Sequence, residues 1–152
     1  MSGALKVQVL GQAEMDERLQ RINLASRKYL SKELTRWAIK AHKSAVDSIQ
    51  GGTKTGHEYR KGKGGKIAHR ASAPGEAPAT DTGELVRGLR VMPSNEHTLS
   101  AFVASTAPYS WWLEFGTSQM AARPFMHPAF KATAPDSIKG AAIAITKGLR
   151  TN

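Results

Sequence analysis

Apolar residues recur at helical spacing from Ala13 to Gln50, where Met15, Leu19, Ile22, Leu30, Leu34, Trp37, Ala41, Ala45 and Ile49 form one stripe and neither proline nor glycine intervenes. The pattern predicts a long amphipathic helix. Unbroken, it would run about 55 Å at about 1.5 Å per residue, whereas a domain of this length has a radius of gyration of about 15 Å. It must therefore bend, break or project, and the polar patch around Asn23 and Ser26 is the expected break. Ahead of it, Lys6 to Leu10 alternate polar and apolar positions before Gly11, as a short half-buried strand does.

Gly51 and Gly52 end the helix, and the glycine- and lysine-rich stretch that follows reads as a mobile hairpin or arm, at about 51–72, with Tyr59 and Ile67 on its strand edges. Ala73 to Thr80 is an extended proline linker. Asp81 and Glu84 have capping-box spacing, so a short helix is expected through Leu85 to Gly88. Arg90 to Met92 and Leu99 to Ser105 flank a polar turn and predict a hairpin. Tyr109, Trp112, Leu113 and Phe115 share one face of a short helix stopped by Gly116; Thr117 to Ala122 is a polar loop. Pro124 suits the first turn of the next helix, with Phe125, Met126 and Phe130 as its buried side. Pro135 should interrupt it, and Asp136 should start a last helix. There, Ile138, Ala142, Ile145 and Leu149 form a thin apolar stripe suited to packing lightly on the domain or on another subunit. The sum is a single α+β domain over 1–152: a small, mostly antiparallel sheet of about four strands, one long N-terminal helix across it, and shorter C-terminal helices.

Composition narrows the chemistry. With no cysteine there is no disulfide scaffold, thiol catalysis or cysteine-ligated zinc, consistent with assembly in a reducing cytoplasm. No stretch reads as a secretion signal or membrane span, so no membrane partner is expected. The net charge of +10 is unevenly spread: residues 51–80 carry Lys54, Arg60, Lys61, Lys63, Lys66 and Arg70 against Glu58 and Glu76, while residues 81–120 are acidic on balance. The arm could meet DNA phosphates or acidic surfaces of neighbouring subunits. Its GKGGK run lacks the GxxxxGK[ST] spacing of a phosphate-binding loop. His57 and His69 flank the arm without a third ligand, and no nucleophile accompanies a positioned histidine. No catalytic residue, metal or cofactor is therefore assigned.

The densest run of large apolar side chains is Tyr109–Pro128, which holds two of the three tryptophans and two of the four phenylalanines. Within it, Glu114 and Arg123 are costly to bury singly and are expected to pair. The pattern Tyr109, Trp112, Leu113, Glu114, Phe115, Gly116, Thr117, then Ala122, Arg123, Pro124, Phe125, Pro128 and Ala129, resembles the signature of head-tail joining proteins of long-tailed double-stranded DNA bacteriophages, also called neck, tail-component or tail-completion proteins. A second block, His69 to Glu76 with Pro78, Thr82, Gly83 and Leu85, resembles that family's middle motif. Likeness spans roughly residues 12–133, and the Gly62–Lys66 insert departs from it.

The resemblance implies a structural virion protein of the neck or tail end, not an enzyme, assembled in the host cytoplasm into an oligomeric ring. By analogy with tail symmetry the ring would be a hexamer, or a dodecamer at the head side. Its partners would be other neck, connector and tail proteins, with non-specific contact to DNA in the channel. The alternative is a basic nucleic-acid-binding protein that uses the arm as its site.

Overall fold

The computed structural model describes residues 12–60 and 67–150. The first element, α1 (Gln12–Gly51), is one uninterrupted helix of 40 residues, about 60 Å long at about 1.5 Å per residue. The expected break at Asn23 and Ser26 is absent. Low helix propensity at such residues costs at most about 0.7 kcal/mol each, and Ser26 is clamped beneath the last turn of the C-terminal helix. Length is instead accommodated by projection. Ser31, Ala38, Ala41, Ala45 and Ile49 are buried, whereas every residue from 14 to 21 is exposed, Met15 and Leu19 included.

The C-terminal helix, α4 (Met126–Leu149), runs antiparallel to α1 and is likewise continuous, with Pro135 inside it. A proline in mid-helix removes one backbone bond and usually kinks or breaks the element. Here both flanks are held on the same continuous partner, α1. On one side, Trp37 donates through Nε1 to the Thr133 hydroxyl at 3.0 Å and stacks edge-on against Phe130. On the other, Gly140, Ala144 and Gly148, spaced four apart, face α1 opposite Glu33 and Ser26. A Cβ at Gly148 would overlap the Ser26 backbone, so the two helices meet at closer range than ordinary side chains allow. Small residues thus own the contact. The predicted stripe of Ile138, Ala142, Ile145 and Leu149 does share a face, but that face points away from α1 and is exposed.

The chain between α1 and α4 forms two antiparallel hairpins rather than one sheet of about four strands. β1 (Glu58–Arg60) pairs with β2 (Ile67–Arg70), with a bulge at Tyr59/Arg60. After α2 (Glu84–Gly88), β3 (Leu89–Met92) pairs with β4 (Phe102–Ser105) in the register Leu89↔Ser105 through Met92↔Phe102. No strand of one hairpin pairs with a strand of the other. The strand expected at Lys6–Leu10 lies outside the described residues. The cap residue of α2, Gly83, lies in the left-handed region (φ 75°) and has no side chain to offer; the Thr82 hydroxyl accepts from Glu84 N–H at 3.4 Å, and the Asp81–Glu84 capping box does not form.

The core joins the C-terminal end of α1 to everything after it: Ala45, Ile49, Leu85, Leu89, Ala107, Phe125 and Ala129 are buried together. α3 (Ser110–Phe115) and the loop into α4 close over it. Mixed helix and sheet with a long N-terminal helix is the class the pattern predicted, while the sheet is divided into two small antiparallel pairs.

The close crossing makes a definite prediction. Gly148→Ala should lower stability by about 1–3 kcal/mol in urea denaturation, the usual cost of overpacking, despite the roughly 1 kcal/mol of helix propensity alanine gains. Ile143→Ala, at an exposed position, should stay within about 0.5 kcal/mol of the parent.

Candidate functional site

The two motif blocks meet in space. Gly116, at φ 77°, turns the chain out of α3, and a side chain there would sit 2.8 Å from the Met120 carbonyl, so the turn requires glycine. The returning strand is tied back by Arg123 N–H donating to the Leu113 carbonyl at 2.7 Å. The Arg123 guanidinium then reaches the other block, donating from Nε to the Ser72 carbonyl at 3.2 Å, while Gly75 N–H donates to the Ala122 carbonyl at 2.9 Å.

Glu114 and Arg123 therefore do not pair. The Glu114 carboxylate accepts three backbone N–H groups, from Phe125 and Met126 at 2.9 Å and from His127 at 2.8 Å. These donors are the cap and first two residues of α4, whose N–H groups no intrahelical carbonyl can satisfy. A carboxylate there also sits at the positive end of the helix dipole. Phe125 is the helix cap and is buried, which leaves Pro124 just outside the helix rather than in its first turn. Pro128, the third helical residue, needs no intrahelical donor.

The second block is organised by another carboxylate. Glu76 accepts from the Thr55 hydroxyl at 2.5 Å, from Thr55 N–H at 3.0 Å and from Ala73 N–H at 2.8 Å. The Thr55 hydroxyl, followed by the two backbone donors, holds its carboxyl down at about 2 against an ordinary 4.5. Residues 73–80 are thus not a free linker. Nearby, Lys54 Nζ donates to the Ser48 carbonyl in the last turn of α1 at 3.0 Å and to the Ala77 carbonyl at 2.7 Å. Burial pushes its ammonium pKa down, and Glu76 opposes that shift. Lys54 closes a helix end and is turned inward, not out from the arm.

Where the blocks meet, a depression of about 390 Å³ is lined by His69, Ser72, Asp81, Glu84, Tyr109 and Arg123 among others. Burial, aided by Glu84, pushes the Tyr109 phenol up. Among the described residues no hydroxyl is hydrogen-bonded to a histidine side chain, so no activated nucleophile stands in it. No described cluster of three or more His, Asp or Glu is placed to hold a metal.

The aromatic residues of the motif divide. Phe125 is 1 % exposed and Leu113 and Tyr109 pack on the core, but Trp111, Trp112 and Phe115 are 67, 55 and 62 % exposed. The Trp111 and Phe115 rings lie 4.3 Å apart, beside an open apolar groove of about 450 Å³ between β4 and the start of α4. Of the helix face shared by Tyr109, Trp112, Leu113 and Phe115, only Tyr109 and Leu113 pack on the core. α3 is only six residues long and offers the core little more than one side chain per turn.

In the arm, Glu58 pairs with both Arg60, at 3.4 Å, and Arg70. The Tyr59 ring meets His57 edge-on at 4.8 Å and stacks with His69 at 6.1 Å. Lys61, Lys63 and Lys66 lie outside the described residues. No helix among the described residues is long and apolar enough to cross a membrane. No family model matches the chain, and no curated protein or solved structure matches it.

Two predictions follow from this geometry. Phe125→Ala should cost about 3–5 kcal/mol, as large-to-small core changes do, whereas Trp112→Ala should cost under about 1 kcal/mol; equal losses in chemical denaturation would contradict the split. Because the folded-state pKa of Glu76 is depressed, its stabilisation is complete above about 4.5 and is lost as pH falls toward about 2. Glu76→Gln should therefore be less stable at neutral pH and show a shallower acid decline across that window than the parent, measured by urea melts in a pH series.

Proposed function

We propose that this chain is a structural protein of the neck or tail end of a long-tailed bacteriophage, acting by assembly into a ring around the DNA channel. The observation that carries the reading is the aromatic surface of α3. Trp111, Trp112 and Phe115 crowd one six-residue helix and stand more than half exposed in a strongly basic chain. Contiguous exposed aromatics of this kind mark subunit contacts, where Trp and Phe are enriched.

Two further apolar surfaces lie apart from it: Met15 and Leu19 on the projecting end of α1, and Ile138, Ile145 and Leu149 on the outer face of α4. Distinct patches that must each meet something different suit a heterologous interface repeated around a closed ring. The resemblance of the Tyr109–Pro128 and His69–Leu85 motifs to the neck and tail-completion family supports the same role. Six copies is the expected number, with twelve as the head-side variant.

Light scattering on the purified chain should give one discrete multi-copy mass without added DNA. Trp111→Ser with Trp112→Ser should shift it to the monomer while leaving the helical circular dichroism unchanged. A chain that stays monomeric at all concentrations and binds DNA through Lys61, Lys63 and Lys66 would favour the nucleic-acid-binding alternative instead.

A further inference from the structure

The packing of α1 on α4 builds a cationic groove that neither helix has alone. Lys32, Arg36 and Lys40 line one wall and Lys139 and Lys147 the other, around an open depression of about 630 Å³ floored by Gly140, Ile143 and Ala144. The groove is continuous at Tyr29 and Lys32 with a second depression of about 410 Å³ that adds Arg21 and Lys28. On α1 the residues Lys28, Lys32, Arg36 and Lys40 recur every fourth position, a row about 18 Å long at about 1.5 Å per residue.

Two carboxylates enter the groove, and both are committed. Glu33 holds Arg36 at 2.9 Å and Asp136 holds Lys40 at 3.4 Å, bridging the two helices in the second case. Lys147 is set 5.2 Å over the Tyr29 ring. Among the described residues no carboxylate pairs with Lys28, Lys32 or Lys139. The surface therefore keeps a clear excess of positive charge on two helices locked together by close packing. By contrast, the described cations of the arm are engaged: Arg60 and Arg70 on Glu58, and Lys54 on backbone carbonyls.

We infer that this groove between α1 and α4 is a binding site for the phosphate backbone of duplex DNA. One strand presents a phosphate about every 3.4 Å of axis, so a row of about 18 Å meets about five. Concave walls of one charge focus the field on such a partner. The walls offer lysine and arginine spaced to meet phosphates, and phosphate contacts carry no sequence information, so binding is independent of sequence. The site does not require ring assembly.

The test is fluorescence anisotropy of the full-length protein with a labelled random-sequence duplex, across about 50 to 200 mM salt. Lys32→Gln with Lys139→Gln should weaken binding on the order of tenfold or more and reduce the salt slope by about 2. Lys131→Gln with Arg87→Gln removes the same net charge from outside the groove and should change affinity little. Light scattering and a thermal melt of each variant separate loss of the site from loss of assembly or fold. Equal loss in both charge-matched pairs would show bulk charge at work and overturn the site. So would loss confined to Lys61→Ala/Lys63→Ala/Lys66→Ala, or no duplex binding at the lowest salt.

Discussion

Close approach of α1 and α4 is the constraint from which the rest of the molecule follows. Gly140, Ala144 and Gly148 let the C-terminal helix lie against Glu33 and Ser26 of the long helix, nearer than Leu or Ile could come. Dispersion and excluded water then accrue along a long seam, which offsets the backbone bond lost at Pro135 and keeps α4 continuous. The cost is visible at Ser26, whose hydroxyl is buried with no hydrogen-bond partner. An unpaired hydroxyl of this kind is tolerated where the packing around it is worth more than the bond. With small residues taking the contact with α1, the larger apolar side chains of α4, Ile138, Ile145 and Leu149 among them, are left exposed.

Two carboxylates perform the equivalent service for the irregular parts. Glu114 binds the start of α4 to the end of α3, and Glu76 binds the turn after β2 to the residues just past α1. Each accepts three donors, at least two of them backbone N–H groups that would otherwise face solvent or the core unpaired. Loops fixed in this way behave as part of the scaffold. They hold α3, with Trp111, Trp112 and Phe115 exposed, on a fixed base.

Much of this was legible in the residues. Helical periodicity without Gly or Pro marked α1, the polar turn between two apolar runs marked the β3–β4 hairpin, and Gly116 after an aromatic helix marked a left-handed stop. The Glu114–Arg123 pairing was misplaced because complementary charge says only that each needs a partner. Backbone groups at a helix start and in a loop, invisible in composition, were the nearer ones. Lys54 was read as part of a free arm for the same reason. The Gly140, Ala144, Gly148 spacing was a signal in plain view, masked by the larger residues between them.

Local backbone physics is written in the chain, and so the sequence by itself determined which stretches are helix and which are hairpin, the excess of positive charge and the density of aromatics near Tyr109–Pro128, whereas the continuity of α1 past Ser26 and of α4 past Pro135 came from packing. Which face of each helix is covered is a non-local question, decided by how near two backbones can come. The tertiary structure alone settled that α4 buries its smallest residues, that Phe125 is core while Trp112 is surface, and that lysines more than a hundred positions apart in sequence line one groove.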